Sequence, residues 1–394
     1  MDFNLDNLEL NLEEDLALDE IFELSSVEDN EVINQPHFKV STKDFLTMVK
    51  KAKTIISSAS RDLISKAVCM HVEDNQLYIN VTDFDVYMEL KTPIINTGNI
   101  IDRDIVCPVD TLLQLAKALP STTTILVEDD KVKIRLIGGS IDIETLDVSR
   151  DKFLLKDDLQ SDKNIDAQSM FSILNAFTSI VQASVNPMEK RIIFDENGAR
   201  ALYMFTMVGS EGDYPKFDVK VKDLSVLKVL LANTKGKLKT FRTSDEKASS
   251  RFIIEGTDFK YAFLVGEVNI NRIMKDSYNN TNFSQGAYIE FSNLSKLVEL
   301  SGSLNYASGK VELVFTDSNV LEVKVPTKGG DNTFKLDATP NGNIKINEAV
   351  TIPSKMLLTV LKTFQKDTVL SLYVDEDIVI LSNSNFKGII LLDA

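Results

Sequence analysis

The sequence predicts an α+β chain of three similar domains, each made of two helix-plus-strands units. Three observations predict it. Segments of helical period are followed by segments of strand period six times along the 394 residues. Cys107–Leu119 and Ile352–Phe364 superpose without a gap, so that Pro108 matches Pro353, Leu112-Leu113 match Leu357-Leu358, and Lys117 matches Lys362; further on, Ile125 matches Leu370 and Asp130 matches Asp375. A polar stripe also recurs at helical spacing, as Lys43, Thr47, Lys50 and Thr54 and again as Lys355, Thr359, Lys362 and Lys366.

Residues 1–36 alternate acids with Leu5, Leu8, Leu12, Leu16, Ile21 and Phe22, which suits a short amphipathic helix or a disordered acidic arm; Gln35-Pro36 ends it. Ser41–Ser58 is the first helix, N-capped by Ser41 or Thr42, with Phe45, Met48, Val49, Ala52, Ile55 and Ile56 on one face. Strands follow at Ala67–Val72, Gln76–Val81 and Asp85–Leu90, the first two joined by the turn Glu73-Asp74-Asn75. After a strand at Ile105–Val109, Pro108 opens a helix over Asp110–Leu119. Strands Thr124–Glu128, Val132–Ile137 and Ile141–Leu146 complete domain 1.

The middle of the chain carries a fainter copy. Phe171–Ala183 is an apolar helix with Gln168, Ser172, Asn175 and Ser179 on its polar side, followed by strands at Arg191–Phe194, Arg200–Phe205 and Phe217–Lys220. Asp223–Asn233 is the next helix, and strands Lys237–Arg242, Ser250–Glu255 and Tyr261–Val265 follow it. The third copy has a helix at Ser292–Ser301 and strands at Val311–Phe315 and Val320–Val325. It ends in the helix after Pro353 and strands Val369–Val374 and Ile378–Ser382. The polar segments Lys156–Asn164 and Ser277–Gly286 set the boundaries: an acidic arm over 1–36 and domains at 37–155, 156–285 and 286–394.

The net charge of −16 opposes nucleic-acid binding only if it is spread evenly, and it is not. Residues 1–36 hold 12 of the 59 acids and none of the 43 bases, which leaves the rest of the chain near neutrality at −4. Clustered lysines on such a body are compatible with a basic groove. No apolar run approaches the roughly 18 residues of a membrane helix, and no secretory leader pattern opens the chain, so a cytoplasmic protein is expected. Cys69 and Cys107 sit in apolar strands and are expected as buried reduced thiols.

Catalytic chemistry has few residues to work with. The chain has two histidines, His37 and His71, and neither a Ser-His-Asp pattern nor a His/Cys metal cluster stands out. Phosphate-cradling glycine loops are absent too. Asp83 and Asp85 share a strand face but have no further ligand cluster beside them, and His71 reads as a packed or edge-facing residue. No enzyme, no cofactor and no metal are therefore expected. A lysine stripe opposite a core face is either an ordinary solvated surface or a set of ammonium groups that attract phosphates without reading bases.

Lys66–Leu90 (KAVCMHVEDNQLYINVTDFDVYMEL), with Val109–Leu119, Ser140–Leu146 and Asn347–Leu392, resembles the bacterial sliding clamp family, the beta subunit of DNA polymerase III. The resemblance covers about residues 38–394 and is weakest in the middle. It implies a DNA clamp fold, closed by two chains head to tail into a ring with helices lining the hole. The implied function is a non-enzymatic processivity factor that tethers a replicative polymerase to double-stranded DNA without sequence preference. The alternative is a clamp-fold ring that serves transcription or recombination machinery.

The resemblance also implies sites. DNA contacts fall on Lys43, Lys50, Arg61, Lys117, Lys190, Arg191, Lys296, Lys355, Lys362 and Lys366. A homodimer interface falls on Ile141 and Ile143 against Leu297, Leu300 and Leu304. An apolar cleft for short peptides of the polymerase and the clamp loader falls on Met204, Phe205, Met207, Arg272, Ile273, Ile389, Ile390, Leu391 and Leu392. There the chain departs from the family pattern: a "TDGHRL" strand becomes Met204–Gly209, and a terminal "VVMPMR" becomes Ile389–Ala394. This divergence and the Asn- and Lys-rich composition suggest a phage or mobile-element member acting in the bacterial cytoplasm or an infected cell. In the arm, Leu18-Asp-Glu-Ile-Phe22 resembles a clamp-binding peptide with its first residue changed; it would dock in a cleft, or the arm's acids would compete with DNA, or the segment is a solubilising tail.

Overall fold

A computed structural model describes residues 35–56, 62–98, 103–156, 158–243, 250–266, 278, 286–304, 309–317, 319–327, 330–342, 344–364, 369–375 and 377–392. Among these residues six α-helices are entered directly from a strand, with no intervening loop. They are α1 (Thr42–Lys53), α2 (Val109–Gln114), α3 (Ala167–Ala183), α4 (Val221–Leu231), α5 (Phe291–Leu304) and α6 (Ser354–Leu361). Their N-termini explain the abrupt switch. Ser41 and Asp166 accept from backbone N–H groups in the first turns of α1 and α3. Pro108 and Pro353 stand at matching positions before α2 and α6, in extended backbone with φ of −63° and −59°. The repeat seen in the sequence is thus a repeat of strand-to-helix junctions.

The chain divides into two units. The first takes the described residues up to Lys156 together with Thr257–Phe263. Its five-stranded antiparallel array runs Asn96–Thr97, His37–Ser41, Thr122–Val127, Lys131–Leu136 and Gly139–Glu144. A second array runs Ile105–Pro108, Ala67–Glu73, Gln76–Thr82 and Tyr87–Pro93, and Phe259–Leu264 adds to its edge with Phe259 opposite Leu90 and Ala262 opposite Tyr87. Helix α1 packs on strands of both arrays and against α2, burying Phe45, Met48, Val49 and Ala52. Lys53 reaches Asp110 at 2.6 Å and Lys51 reaches Asp258 at 3.1 Å, so these two lysines fix α1 to its neighbours.

Two local motifs decide turns in this unit. Asp74 and Asn75, at φ of +48° and +60°, make the two-residue hairpin turn between Glu73 and Gln76. Thr82-Asp83-Phe84-Asp85 is a second turn: Asp83 Oδ1 accepts from the Asp85 and Val86 N–H groups at 3.0 and 2.8 Å, and the Thr82 hydroxyl donates to Val86 O. Asp83 is thereby a turn former. Cys69 and Cys107 are buried and reduced on neighbouring strands; Cys69 lies opposite Val106 and Cys107 opposite Val68, so their side chains leave opposite faces. Burial pushes both thiols up to about 12.

The second unit takes Asp157–Gly256 and Leu264 onward. One continuous antiparallel sheet crosses it, from Phe217–Lys220 through Arg191–Asp195, Gly198–Tyr203, Thr206–Ser210, Lys387–Leu391, Ile378–Ser382, Val369–Val374, Ala287–Glu290, Gly330–Pro340, Val320–Thr327 and Lys310–Asp317 to Ala349–Pro353. Leu159–Ser161 and Ile165–Asp166 pair with Lys237–Thr243, which pairs with Arg251–Glu255. Helix α3 packs against α4, and α5 against α6. The eleven-residue strand Gly330–Pro340 was not expected from its polar sequence; Phe334, Leu336 and Ala338 alternate inward while their neighbours are exposed.

Candidate nucleic-acid and partner interfaces

The predicted stripe of α1 is present: Lys43, Thr47, Lys50 and Thr54 are all exposed, opposite the buried face. Thr47 and Thr54 turn their hydroxyls back onto the carbonyls of Lys43 and Lys51, which leaves the ammonium groups as the outward chemistry. Lys117 is exposed, in a short 3-10 turn (Ala116–Ala118) after α2 and not on the helix expected there. Lys190 and Lys296 are exposed as well.

On the last helix the stripe needs correction. Lys355 and Lys362 are exposed, but Thr359 between them is buried and donates its hydroxyl to the Lys355 carbonyl. Helix α6 ends at Leu361, so Lys362 is its C-cap residue. Arg191 is a second correction. Its guanidinium lies 3.0 Å from the fully buried Asp218, whose other oxygen accepts from the Gly266 N–H at 2.7 Å. A buried carboxylate needs that partner, which turns Arg191 inward. Arg61 and Lys366 lie outside the described residues.

In the middle of the chain, Gln168, Ser172 and Asn175 are exposed on α3, while Ser179 is half-buried. Lys228 of α4 is half-buried, and its ammonium reaches the Thr178 hydroxyl of α3 at 3.4 Å; burial lowers its pKa. Lys222, exposed in the first turn of α4, was not singled out in the sequence, and its place in the Lys220-Val221-Lys222 run is the signal that could have found it.

The residues expected in a peptide cleft divide by strand alternation. Met204 and Phe205 form the two-residue turn of the hairpin Gly198–Tyr203/Thr206–Ser210, and they are 54% and 44% exposed. Met204 adopts φ +51°, uncommon for a residue with a side chain, and its N–H donates to Glu189 Oε2 at 3.2 Å. The C-terminal strand runs alongside: Met207 faces Ile389, Thr206 faces Ile390, and Leu391 N–H donates to the Phe205 carbonyl at 2.9 Å.

Met207 and Ile389 are fully buried in a cluster with Tyr278 and Ile380, against which Leu202, Tyr373, Ile378 and Leu391 pack. Ile390 points to the other face, the one that carries Gly388 against Val360 of α6, so it belongs to the core. Ile389 and Ile390 cannot share a cleft because successive strand residues leave opposite faces. Leu391 and Leu392 remain half-buried beside the exposed turn. Arg272 and Ile273 lie outside the described residues.

Tyr278 closes that cluster. Lys387 Nζ sits 4.1 Å from its ring centroid and the Arg200 guanidinium carbon 5.8 Å from it, and burial raises the phenol pKa. Lys387 also donates to the Tyr278 carbonyl, and burial lowers its pKa to about 8.

Of the expected dimer residues, Ile141 is half-buried and Ile143 is buried, opposite Ile134 and Val132 on their own sheet. Ile143 therefore serves the core of its unit. On the outer face of the same strand, Asp142 meets Lys131 at 2.6 Å and Lys133 at 3.8 Å. Leu297 of α5 is half-buried and Leu300 is 37% exposed; the side chain of Leu304 lies outside the described residues. Among the described residues no group of three or more His, Cys, Asp or Glu side chains could hold a metal, and no helix is long and apolar enough to cross a membrane.

Residues 36–153 match the family model of the DNA polymerase III beta subunit, N-terminal domain. No curated protein sequence matches the chain. The Pseudomonas aeruginosa DNA polymerase III subunit beta superposes with a TM-score of 0.72 at 13% identity, over 90% of this chain and 99% of that one. The Borrelia burgdorferi subunit beta gives 0.71 at 16% identity over 90% and 98%, and the Bacillus subtilis sliding clamp 0.69 at 13% over 91% and 98%. Residues 36–153 are thus an N-terminal domain of the DNA polymerase III beta subunit family, and the chain as a whole has the fold of the bacterial sliding clamp.

Proposed function

We propose that the chain is a non-enzymatic sliding clamp: two copies close head to tail around duplex DNA, and the ring tethers a polymerase through the apolar surface at Met204, Phe205, Leu391 and Leu392. Its domains run over 37–155, 156–285 and 286–394.

One observation carries the ring. In each repeat the third strand of a first half pairs with the third strand of the next domain's second half. Tyr87–Pro93 pairs with Phe259–Leu264, and Thr206–Ser210 pairs with Lys387–Leu391. The same rule leaves Gly139–Glu144 and Gly330–Asp337 as open edges, each paired on one side only among the described residues. Long open edges are templates for another chain. A second copy supplies the missing strand to each, with Ile141, Leu297 and Leu300 beside the joint. Lys43, Lys50, Lys117, Lys190, Lys296, Lys355 and Lys362, with Arg61 and Lys366, would then offer phosphate contacts that carry no base readout.

Light scattering at micromolar concentration tests the ring. The expected mass is twice the 44.0 kDa of one chain. Ile141→Lys should return a folded monomer and abolish retention on circular DNA. A strictly monomeric wild-type chain would sink the proposal.

A further inference from the structure

The Glu189 carboxylate joins two surface segments of the second unit. We infer that Glu189 is a positioning residue for the partner surface: it fixes the Met204–Phe205 turn against the loop after α3, so that Met188 joins Met204 and Phe205 in one apolar shelf for a polymerase peptide. The inference rests on the proposed role of that turn in tethering a polymerase.

The turn needs such a hold. Met204 is at φ +51°, and Phe205, the other central residue, is not in the left-handed region. That sign pattern is the one of a type II′ turn, whose first central position favours glycine. A side chain there strains the backbone, and strain persists only where the surroundings impose it. Core packing does not explain the methionine, because its side chain is more than half exposed. The surroundings that impose the turn are two hydrogen bonds. Glu189 Oε2 accepts the Met204 N–H at 3.2 Å, and the Phe205 carbonyl accepts the Leu391 N–H at 2.9 Å.

The other end of the brace is anchored in a helix terminus. Glu189 Oε2 also accepts the hydroxyl of Ser184 at 2.7 Å, and Oε1 accepts Asn186 Nδ2 at 3.2 Å. Ser184 is buried and is the C-cap residue of α3. The loop then closes on itself. The Asn186 carbonyl accepts the Glu189 and Lys190 N–H groups at 3.0 and 3.2 Å, and Asn186 Oδ1 accepts the Met188 N–H at 3.0 Å. Met188, next to Glu189 in the chain, keeps its side chain exposed, with its sulfur 3.9 Å from the Arg191 nitrogen that does not face Asp218. Three exposed apolar side chains are thus carried on two segments that share one carboxylate. Two of them are methionines, whose unbranched thioethers repack around different apolar partners. Holding them in place beforehand lowers the ordering cost of binding.

The test uses the full-length chain and fluorescein-labelled Gln-Ala-Asp-Leu-Phe, a short peptide ending in two apolar anchors, read by anisotropy. Glu189→Ala removes a charged acceptor, so exchange of the Met204 amide hydrogen should quicken about tenfold and peptide affinity should fall about five- to tenfold. Ser184→Ala removes a bond to the same oxygen but leaves the Met204 N–H its acceptor, so affinity should stay within about twofold of wild type. Met188→Ser changes only an exposed side chain and should weaken the peptide about threefold or more. Wild-type affinity in Glu189→Ala or in Met188→Ser would overturn the inference and leave the tethering role of the Met204–Phe205 turn intact. So would equal losses in Ser184→Ala and Glu189→Ala, the result of a bond that serves loop stability alone. If the wild-type chain does not bind the peptide, the tethering role of the turn fails, and the positioning role falls with it.

Discussion

Gly388 lies directly beneath Val360: a Cβ at position 388 would stand 2.4 Å from Val360 Cγ1. The C-terminal strand can therefore lie close under α6 only because position 388 has no side chain. Gly388→Ala should cost about 1–3 kcal/mol by overpacking, measured by urea unfolding. Val360→Ala should recover part of that loss in the double variant, because it removes the methyl group in conflict.

The buried and exposed members of the apolar surface should behave oppositely. Met207→Ala removes a side chain with no exposure and should cost about 2–5 kcal/mol. Met204→Ser and Phe205→Ser, at the exposed turn, should change stability by less than about 0.5 kcal/mol. Both should weaken binding of an apolar polymerase-derived peptide, read by fluorescence anisotropy. Unchanged peptide binding would remove this turn from the partner surface.

Sequence made some of these relationships legible and hid others for a physical reason. Local chemistry was readable: Pro108 and Pro353 before their helices, Asp74-Asn75 in a hairpin, and the stripe of α1 opposite its core face all follow from short-range rules. Residues whose role depends on a distant partner were not. Arg191 looks like any exposed arginine until Asp218 lies beside it, and Thr359 follows the lysine period although its side is covered. The strand Gly330–Pro340 is mostly polar because one of its faces meets solvent, and polarity was what disguised it.

The lysines offered to DNA separate from structural cations by the same logic. Lys355→Glu with Lys362→Glu should leave the melting temperature unchanged, since both side chains are exposed. Retention on DNA should fall, and the salt slope should drop by about 0.9 for each phosphate that is no longer neutralised. Arg191→Ala should instead cost about 3–5 kcal/mol, because it leaves the Asp218 carboxylate buried without its partner. A slope that does not change in the double lysine variant would reduce the stripe of α6 to a solvated face.

His71 sets an acid limit on stability. Its ring is buried, stacks on Tyr78 at 4.7 Å, and has no hydrogen-bond partner at either nitrogen among the described residues. Glu73 stands 3.8 Å away, beyond hydrogen-bond range, and is largely exposed, so solvent screens its attraction for an imidazolium there. Burial, with a smaller contribution from Arg150, lowers the His71 pKa from 6.5 to about 4. Between those two values the unfolded chain binds a proton that the folded chain does not. Stability from this group is therefore full above about pH 6.5, is lost as pH falls toward about 4, and changes no further below that. Replacing the ring by one that cannot titrate isolates the effect from the carboxylates. The stability difference between wild type and His71→Phe, followed by urea unfolding from pH 7.5 to 4, should shift steadily in favour of the variant as pH falls. A difference that stays constant across that range would mean that His71 takes up its proton in the folded chain.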